Sequence, residues 1–373
     1  MRVLVTGGAG FVGTHLCREL TGRGDAVQVL DSFEEQVHGS GNDRVQNRSY
    51  RDGHVAVLRG YVSHRDTVRL ILEETDAVVH LAAVVGVGQS MYDIERYVRR
   101  NCLDTAVLLE EVARARKGLR RLVVASSMSC YGEGPRWCAG CGDTRPRERT
   151  TADMLEGRWG FPCPRCEKRT YTVPVTEDAA LHPTSVYATT KRDQEELCLQ
   201  VGAAYGVPTA ALRFFNIYGP GQSLSNPYTG AAAIFASRLL NGRAPVVFED
   251  GEQSRDLIHV SDVVRGVLLA LDADYRGAIN LGTGRPTSVR RVAEILSDEL
   301  LPGTQPELNG RFRAGDIRDC HADTFRAQRE LGFRTKVSVE DGLRELARDV
   351  RDEVADDRVD EHLEDLRTRG LAT

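Results

Sequence analysis

A glycine-rich turn near the amino terminus constrains the fold of this chain more than any other feature. Residues 6–13 read TGGAGFVG, directly after an apolar run and at the start of a stretch with helical periodicity. In a strand–turn–helix unit of this kind, Gly7 allows the tight turn, Gly10 lets the backbone approach a pyrophosphate, and Gly13 permits close packing of helix on strand. Amide groups at the start of the helix then face the phosphates. The turn therefore predicts a dinucleotide-binding site in an α/β domain.

An acidic residue at the end of the next strand indicates which dinucleotide is bound. Asp31 closes the apolar run Ala26–Asp31, where a carboxylate accepts hydrogen bonds from ribose hydroxyls. A carboxylate at that position repels a 2′-phosphate, so the sequence predicts NAD rather than NADP as the cofactor.

The first 220 residues alternate apolar, β-branched runs with stretches of helical periodicity. This alternation predicts βαβ units around a buried parallel sheet. We therefore predict an α/β fold with a Rossmann-type doubly wound parallel sheet. The predicted strands are Val3–Thr6, Ala26–Asp31, Val55–Arg59, Ala77–Leu81, Arg121–Ser126 and Pro208–Phe214, and the clearest predicted helices are Phe11–Gly22 and Thr67–Glu74.

Beyond about residue 220 the pattern loosens into shorter elements, which predicts a smaller C-terminal substrate lobe. We predict an NAD-binding Rossmann domain at 1–220, with returning segments near 255–284, and a second lobe at 221–345. The strands expected to return are Asp256–Val260 and Ala278–Leu281. The charged C-terminal tail, 346–373, has one possible helix stripe, but a solvated helix or a frayed tail is the preferred interpretation. That stripe comprises Val350, Val354, Leu363 and Leu366.

Composition excludes several classes of function. The 373 residues carry a net charge of −5 and no basic block, so nucleic acid is not an expected partner. No apolar run reaches the roughly 18–20 residues that span a bilayer, so no membrane partner is expected. Met1 leads directly into an apolar strand rather than a signal peptide, so a cytoplasmic location is expected. The nine cysteines are an odd number and do not suggest a disulfide scaffold.

A tyrosine and a lysine four residues apart form the predicted catalytic pair. In the segment YATTK at 187–191, Tyr187 and Lys191 fall on one helix face. A phenol with a pKa of about 10 is a poor base at neutral pH, and a neighbouring ammonium favours its phenolate. Tyr187 is then able to take a proton from a sugar hydroxyl while hydride leaves for nicotinamide. The serines at 126–129 end the preceding strand and are expected to hydrogen-bond the reacting oxygen.

An ordered series of motifs extends over roughly residues 1–345. The motifs are TGGAGFVG at 6–13, HLAA at 80–83, SSMSCYG at 126–132, YATTK at 187–191, RFFNIYGP at 213–220, RDLIHVSDV at 255–263, NLGTG at 280–284 and RAGDIR at 313–318. With these motifs the chain resembles the extended short-chain dehydrogenase/reductase family, and within it the nucleotide-sugar epimerase/dehydratase branch.

The resemblance implies a role for each matching residue. NAD would be held by Gly7, Gly10, Phe11, Val12, Gly13, Asp31, Leu81, Ala82, Ala83, Tyr187 and Lys191. The catalytic residues would be Ser127, Ser129, Tyr187 and Lys191, with Ser129 beside the sugar. The substrate would be bound by Asn216, Arg255 and Arg313 at its diphosphate and by Asp316 at its ribose. Two arginines also supply the local positive charge that an acidic chain otherwise lacks. The implied partner is a UDP- or dTDP-sugar, which makes 221–345 the nucleotide-sugar-binding lobe, and the implied assembly is a homodimer.

The chain departs from its relatives at several positions. Tyr61 stands where many relatives have an Asp that reads the adenine, and it is expected to stack on or cover that base. The segment NCLDT at 101–105 replaces a common Asn-x-x-Gly-Thr and is interpreted as a variation on a helix surface. Met128 and Ser129 stand where 4,6-dehydratases carry an Asp-Glu pair that expels water, and decarboxylases usually keep a Glu at the position of Ser129. The Ser-x-Ser pattern resembles 4-epimerases more closely. Cys130 is predicted to face away from Ser129 by strand alternation and to serve in packing.

Four cysteines between the serine strand and Tyr187 predict a metal site. The pairs Cys138-x-x-Cys141 and Cys163-x-x-Cys166 have the spacing of a zinc ribbon. Four thiolates leave no open coordination position, so the zinc would be structural rather than catalytic. We predict a zinc-ribbon insertion at 136–170 that forms a flap near the sugar pocket or an oligomer contact. Four buried or redox-active thiols are the alternative.

The preferred activity is C4 epimerisation of a nucleotide-diphosphate sugar through a transient 4-keto intermediate. A zinc-ribbon insertion, GVGQSMY at 86–92 and SNPYTG at 225–230 make the chain similar to bacterial dTDP-L-rhamnose 4-epimerase-like proteins. UDP-glucose and UDP-glucuronate 4-epimerases are close alternatives. Three other functions stay open: an NAD(P)H-dependent 4-ketoreductase or other net oxidoreductase, a sugar-acid decarboxylase, and a non-catalytic NAD-binding scaffold.

Overall fold

The computed structural model describes residues 1–38, 55–115, 118–226, 228, 230–313 and 315–372. Its centre is a sheet of seven strands in which every neighbouring pair is parallel. The strands are β1 (Arg2–Thr6), β2 (Ala26–Asp31), β3 (Val55–Arg59), β4 (Ala77–His80), β5 (Arg121–Ser127), β6 (Thr209–Phe214) and β7 (Gly277–Leu281). The predicted Rossmann-type sheet is confirmed. The motifs SNPYTG and RAGDIR include Pro227, Thr229 and Ala314, which lie outside the described residues.

The order of the strands creates a crevice at the carboxyl ends of β1 and β4. The order is β7-β6-β5-β4-β1-β2-β3, so the chain proceeds outward from β1 to β3 and then crosses back to β4. Ligands of open parallel sheets bind where the strand order reverses in this way. The amide of Leu81 donates to the carbonyl oxygen of Thr6 at 3.0 Å, which holds the two strand ends together.

Apolar side chains fill both faces of this sheet. Val3 and Val5 belong to a core shared with the helices Phe11–Gly22 and Val260–Asp272. Leu4 belongs to the opposite core, which includes residues of the helices at 104–114 and 186–205. Each fully buried side chain of this size contributes roughly 1.5–3 kcal/mol to folding. The sheet is thereby a rigid base for the groups at its carboxyl edge.

The helices that surround the sheet agree with the predicted alternation of strands and helices. The α-helices are Phe11–Gly22, Glu35–His38, Arg65–Leu72, Val87–Ser90, Ile94–Tyr97, Asp104–Arg114, Thr151–Leu155, Val186–Tyr205, Ala231–Leu240, Val260–Asp272, Val289–Leu300, Phe325–Leu331, Val339–Val350 and Val359–Thr368. A π-helix spans Val98–Leu103 and a 3₁₀ helix spans Met128–Tyr131. In the part of the chain that the structure describes, no helix is both long and apolar enough to cross a membrane.

The second half of the chain builds further elements with a core of their own. The strands Asn216–Tyr218, Ser254–His259, Pro286–Ser288 and Asp319–Cys320 form a second sheet, and Val246–Val247 pairs with Glu307–Leu308. Three helices, at 231–240, 289–300 and 339–350, pack around Leu239, Leu296 and Leu346. Of the two strands expected to return to the main domain, Ala278–Leu281 lies in β7 beside β6, whereas Ser254–His259 pairs in the second sheet. The domain boundaries stay a prediction.

The charged C-terminal segment is packed against the protein. Residues 351–358 separate the helices Val339–Val350 and Val359–Thr368, so the four apolar residues of this segment do not form one stripe. Leu363 and Leu366 are 7% and 1% exposed, whereas Val354 is 100% exposed. Arg238 pairs with Asp357 at 3.5 Å and with Asp360 at 3.0 Å. The expectation of a solvated or frayed tail is therefore wrong for the last helix, because two of its leucines are buried despite the many charged residues around them.

The cysteine-containing insertion is a small antiparallel sheet. Arg136–Cys138 pairs with Gly142–Thr144 on one side and with Tyr171–Thr172 on the other. A short helix, Thr151–Leu155, lies between the two cysteine pairs in the chain. We call residues 136–172 the four-cysteine module.

Candidate active site

A cavity of about 620 Å³ extends from the glycine turn to the second sheet. This volume lies in the range of about 300–1,000 Å³ that is usual for small-molecule sites. Every residue that the sequence assigned to cofactor, catalysis or substrate lines this cavity. These residues are Gly7, Gly10, Phe11, Val12, Gly13, Asp31, Leu81, Ala82, Ala83, Ser127, Ser129, Tyr187, Lys191, Asn216, Arg255, Arg313 and Asp316.

The glycine turn has the close backbone approaches that the sequence predicts. Gly7 has a φ of +69°, and a Cβ at this residue would lie 2.8 Å from the amide nitrogen of Ala82. A Cβ at Gly13 would lie 2.5 Å from the carbonyl oxygen of Gly8. Gly10 caps the following helix without a side-chain hydrogen bond, which leaves the first amides of the helix available for a phosphate. The turn thus fits a pyrophosphate.

The carboxylate of Asp31 lies beside the glycine turn. It accepts from the amide of Ala9 at 3.0 Å and from the amide of Phe33 at 2.9 Å. Farther along this wall of the cavity, the guanidinium of Arg100 stacks 3.7 Å above the centre of the Tyr61 ring. A carboxylate at the end of β2 and a broad planar surface at Tyr61 suit the ribose and the base of an adenosine.

Tyr187 lies on the wall of the cavity at the first turn of the helix Val186–Tyr205. The hydroxyl of Ser185 caps this helix by accepting from the amide of Ala188 at 3.2 Å. The Tyr187 hydroxyl hydrogen-bonds Ser127, and the ring packs edge-on against Tyr97 with centroids 6.3 Å apart. The surrounding protein removes the hydroxyl from water and raises the pKa of Tyr187 to about 12, and the hydrogen bond with Ser127 opposes this rise. A phenol in this state needs added positive charge before it acts as a base near neutral pH.

Lys191 lies one helical turn beyond Tyr187 and is buried. Its ammonium donates to the carbonyl oxygen of Ala125 at 2.6 Å and to the side-chain oxygen of Gln194. Burial lowers the pKa of Lys191 to about 8. The ammonium is therefore held against the end of β5.

A buried network that sequence reasoning missed holds this ammonium. The Nε2 atoms of Gln194 and His80 lie 2.9 Å apart, and His80 Nδ1 lies 2.6 Å from the hydroxyl of Thr6. His80 therefore connects the helix Val186–Tyr205 to the end of β1. The sequence did contain a signal for this contact, because Lys191 and Gln194 are three residues apart on one helix and therefore lie on the same face.

Asn101 is a second residue that the sequence analysis interpreted wrongly. It is fully buried in the π-helix rather than on a helix surface. Its side chain accepts from the amide of Val84 at 2.8 Å and donates to the carbonyl oxygen of Val84 at 3.1 Å and to Thr190 at 3.0 Å. Because Val84 lines the cavity, Asn101 fixes the segment that follows β4 onto the helix Val186–Tyr205.

The serines at the end of β5 form a connected pair. Ser129 donates from its hydroxyl to the Ser127 hydroxyl oxygen at 2.8 Å and from its amide at 3.2 Å. Cys130 is buried in packing as predicted, but it lies in a 3₁₀ helix, so strand alternation is the wrong reason for its direction. The two hydroxyls and Tyr187 are thus linked by hydrogen bonds at one wall of the cavity.

Polar groups suited to a diphosphate lie in the same cavity. Arg255 donates to the carbonyl oxygens of Ser254 and Arg318, and among the described residues it makes no ion pair with a carboxylate. Arg313 donates to Asp316 at 2.9 Å and stacks on Phe248. The Oδ1 atom of Asn216 is buried and has no hydrogen-bond partner in the described structure. An uncompensated cation and an unsatisfied amide both favour a polar, anionic ligand here.

The four predicted metal ligands come together in the four-cysteine module. The sulfur atoms of Cys138, Cys141, Cys163 and Cys166 all lie within 4.8 Å of one another, and those of Cys138 and Cys166 are 3.6 Å apart. Four Zn–S bonds of about 2.3 Å in a tetrahedron separate the sulfur atoms by about 3.8 Å. None of the four cysteines is in a disulfide. The donor set therefore fits a tetrathiolate zinc ion.

Comparison with curated proteins gives relatives that act on nucleotide sugars. The chain is 29% identical over 361 residues to a dTDP-L-rhamnose 4-epimerase of Burkholderia thailandensis, covering 92% of this chain and 93% of that protein. It is 31% identical over 366 residues to UDP-glucuronate 4-epimerase 3 of Arabidopsis thaliana, covering 93% and 75%. A UDP-glucuronic acid decarboxylase of the same plant is 27% identical over 362 residues, covering 95% and 71%.

Comparison with solved structures gives the same fold. The complex of MoeE5 with UDP-glucose and NAD superposes with a TM-score of 0.73 at 31% identity, covering 94% of this chain and 99% of that one. Residues 3–153 and 165–282, well over half of the chain, match the NAD dependent epimerase/dehydratase family. This protein therefore belongs to the NAD dependent epimerase/dehydratase family.

Proposed function

We propose that the protein is an NAD-dependent 4-epimerase of a nucleotide-diphosphate sugar that acts through a transient 4-keto intermediate. The proposal is supported above all by the hydrogen bond between Tyr187 and Ser127, inside a cavity that also contains Asp31 and Arg255. The same cavity thus contains Tyr187 as an acid–base group, the Asp31 carboxylate, which suits a ribose, and the Arg255 guanidinium, which suits a diphosphate. The 4-epimerases among the relatives support the same choice.

Tyr187 is the proposed acid and base. Its phenolate takes the proton of the C4 hydroxyl and later returns that proton to the alkoxide oxygen. When bound, NAD supplies the reversible acceptor for the hydride of C4. Ser127 donates a hydrogen bond to the reacting oxygen, and the ammonium of Lys191 favours the phenolate. At pH 7 a Lys191 with a pKa of about 8 is mostly protonated, as this role requires.

Inversion requires that the 4-keto sugar present its other face while the rest of the substrate stays bound. We assign that anchoring to Asn216, Arg255 and Arg313, which would hold the diphosphate, and to Asp316, which would hold the ribose. The nucleotide is proposed to be UDP or dTDP. Ser129, close to Ser127, would contact the sugar.

The residue at position 129 bears on the main alternatives within the family. A decarboxylase is present among the relatives, but this chain has Ser129 where such enzymes usually keep a Glu. An NAD(P)H-dependent 4-ketoreductase would use the same tyrosine and would consume added reductant. Asp31 lies where a 2′-phosphate would have to fit, which favours NAD and disfavours NADP.

We propose that the four-cysteine module binds one structural zinc ion through Cys138, Cys141, Cys163 and Cys166. Four closely spaced sulfur atoms without disulfides support zinc, and a full set of four thiolates leaves no position for substrate. Metal analysis of the purified protein is expected to give about one zinc per chain. The double variant Cys163→Ser with Cys166→Ser is expected to lose it.

A homodimer also stays a prediction. Ile94, Val98 and Leu103 are apolar and are 50%, 46% and 50% exposed around the π-helix. A second chain that covers them would remove this apolar surface from water. Analytical ultracentrifugation is expected to give a mass twice that of one chain. The Val98→Glu variant is expected to give a lower mass, closer to that of the monomer.

The test of the proposed function uses the protein as purified, without added cofactor. It is incubated with a panel of UDP- and dTDP-sugars, and NMR is used to detect inversion at C4. Inversion of at least one sugar, with bound NAD in the preparation, is the expected result. Consumption of added NADH without inversion would favour the ketoreductase, and release of carbon dioxide from a UDP-uronate would favour the decarboxylase.

A further inference from the structure

The four-cysteine module contacts the wall of the cavity that carries the proposed diphosphate ligands. From its first strand, Arg136 reaches Asp319 at 3.0 Å, and both side chains are 10% exposed. The same Asp319 accepts from the hydroxyl of Ser254 at 2.8 Å, next to Arg255. The module is therefore joined by a buried ion pair to Asp319, which hydrogen-bonds the strand that bears Arg255.

A second arginine of the module contacts the segment that carries Arg313 and Asp316. Arg149 pairs with Glu249 at 2.7 Å, and these side chains are 7% and 6% exposed. It also donates to the backbone carbonyl oxygen of Asp316 at 3.2 Å. Because Asp316 pairs with Arg313, Arg149 contacts the backbone of the segment that presents both groups.

Aromatic packing completes this contact. Phe161 is 5% exposed and lies under the guanidinium groups of both Arg136 and Arg149, at 5.0 and 5.6 Å. Trp159 packs against Phe312, the residue before Arg313, with ring centroids 6.2 Å apart. Phe161 and Trp159 lie just before the second cysteine pair, so the folding of that pair and the direction of the two arginines are coupled through neighbouring residues.

We propose that the metal-bound four-cysteine module is a positioning element for the nucleoside diphosphate of the substrate. Arg149 acts through Asp316 and Glu249 and does not itself touch the ligand. The module holds Arg255, Arg313 and Asp316 in place, so the loss of metal or of Arg149 weakens nucleotide binding and leaves the cofactor end of the cavity intact. This inference rests on the proposed function for the identity of the ligand.

The test measures equilibrium binding of UDP and dTDP by calorimetry, without turnover, on the full chain with its bound NAD and zinc. Arg149→Met is expected to raise the dissociation constant about tenfold, equivalent to about 1.4 kcal/mol. NAD and zinc contents are expected to stay those of the unaltered protein. Arg147→Met is the matched control, because Arg147 belongs to the same module and donates an exposed hydrogen bond to the carbonyl oxygen of Pro164, away from the cavity wall. Arg313→Ala is the reference for direct loss of a diphosphate ligand.

Removal of zinc by a thiol reagent and chelator is the second arm. The dissociation constant for UDP or dTDP is expected to rise at unchanged NAD content, and to recover when the thiols are restored and zinc is added back. The proposal would be overturned by an unchanged nucleotide dissociation constant in the Arg149→Met variant that retains zinc, or in the protein from which zinc has been removed. Failure of the unaltered protein to bind either UDP or dTDP would also overturn it. Nucleotide binding that responds to Arg149 in a protein without epimerase activity would support the inference while refuting the proposed function.

Discussion

Gln194 Nε2 lies 2.9 Å from His80 Nε2, inside the core and next to the buried ammonium of Lys191. The His80 ring is 1% exposed, and such burial disfavours its charged form. Burial, followed by the charge of Lys191, lowers the pKa of His80 to about 3. A neutral imidazole next to a buried ammonium avoids repulsion between two cations at one site.

This relationship predicts a pH dependence of stability. The unfolded chain protonates His80 below its ordinary pKa of about 6.5, whereas the folded protein leaves it neutral down to about pH 3. Its stabilising contribution is therefore present above pH 6.5 and is lost as the pH falls toward 3. Between pH 7 and pH 5 the loss amounts to about 2 kcal/mol. Urea denaturation measures the free energy of unfolding at pH 7 and at pH 5. The His80→Gln variant is expected to lose about 2 kcal/mol less than the unaltered protein between these two pH values. Equal losses in the two proteins would contradict the assignment of this pH dependence to His80.

Replacement of Tyr187 with Phe tests the proposed acid–base group. The variant lacks the proton acceptor, so we expect kcat for epimerisation to fall by about 10²–10⁴-fold, while NAD content stays the same. Tyr205→Phe is the matched control, since Tyr205 ends the same helix and is 61% exposed. An active Tyr187→Phe variant would show that another group moves the proton.

Asn101→Ala is expected to loosen the segment after β4. Two backbone groups of Val84 lose their buried partner, which costs about 1–3 kcal/mol of unfolding free energy. We also expect weaker NAD retention, because Val84 lines the cavity. Arg99→Ala in the same π-helix is the control, since Arg99 is exposed and pairs only with Glu95 in the described structure. Equal stability of the two variants in urea denaturation would contradict the role given to Asn101.

The C-terminal helix is expected to stabilise the protein and to shape the cavity. Leu366→Ala should lower the free energy of unfolding by about 2–5 kcal/mol, since the side chain is 1% exposed. Val354→Ala should change it by less than about 0.5 kcal/mol, since Val354 is fully exposed. Leu363 lines the cavity, so Leu363→Ala should raise KM for the nucleotide sugar. Equal free energies of unfolding for Leu366→Ala and Val354→Ala would contradict the conclusion that the last helix packs against the protein.

The sequence predicts features that depend on neighbouring residues and misses those that depend on distant ones. The strands of the main sheet, the glycine turn and the shared face of Tyr187 and Lys191 all follow from local periodicity and turn chemistry. Asn101 could not be placed in this way, because its role depends on a π-helix that changes the periodicity. The packing of the last helix was missed because its charges outnumber the two leucines that pack against the rest of the chain.

The most direct test of the central claim follows the hydrogen at C4. The purified protein, without added cofactor, is given a UDP- or dTDP-sugar that carries deuterium at C4, chosen from the panel as a sugar that inverts. If the same hydrogen leaves and returns on the other face, the inverted product retains the deuterium, and Tyr187→Phe yields almost no inverted product. Inversion with exchange of the deuterium for solvent hydrogen would contradict the account.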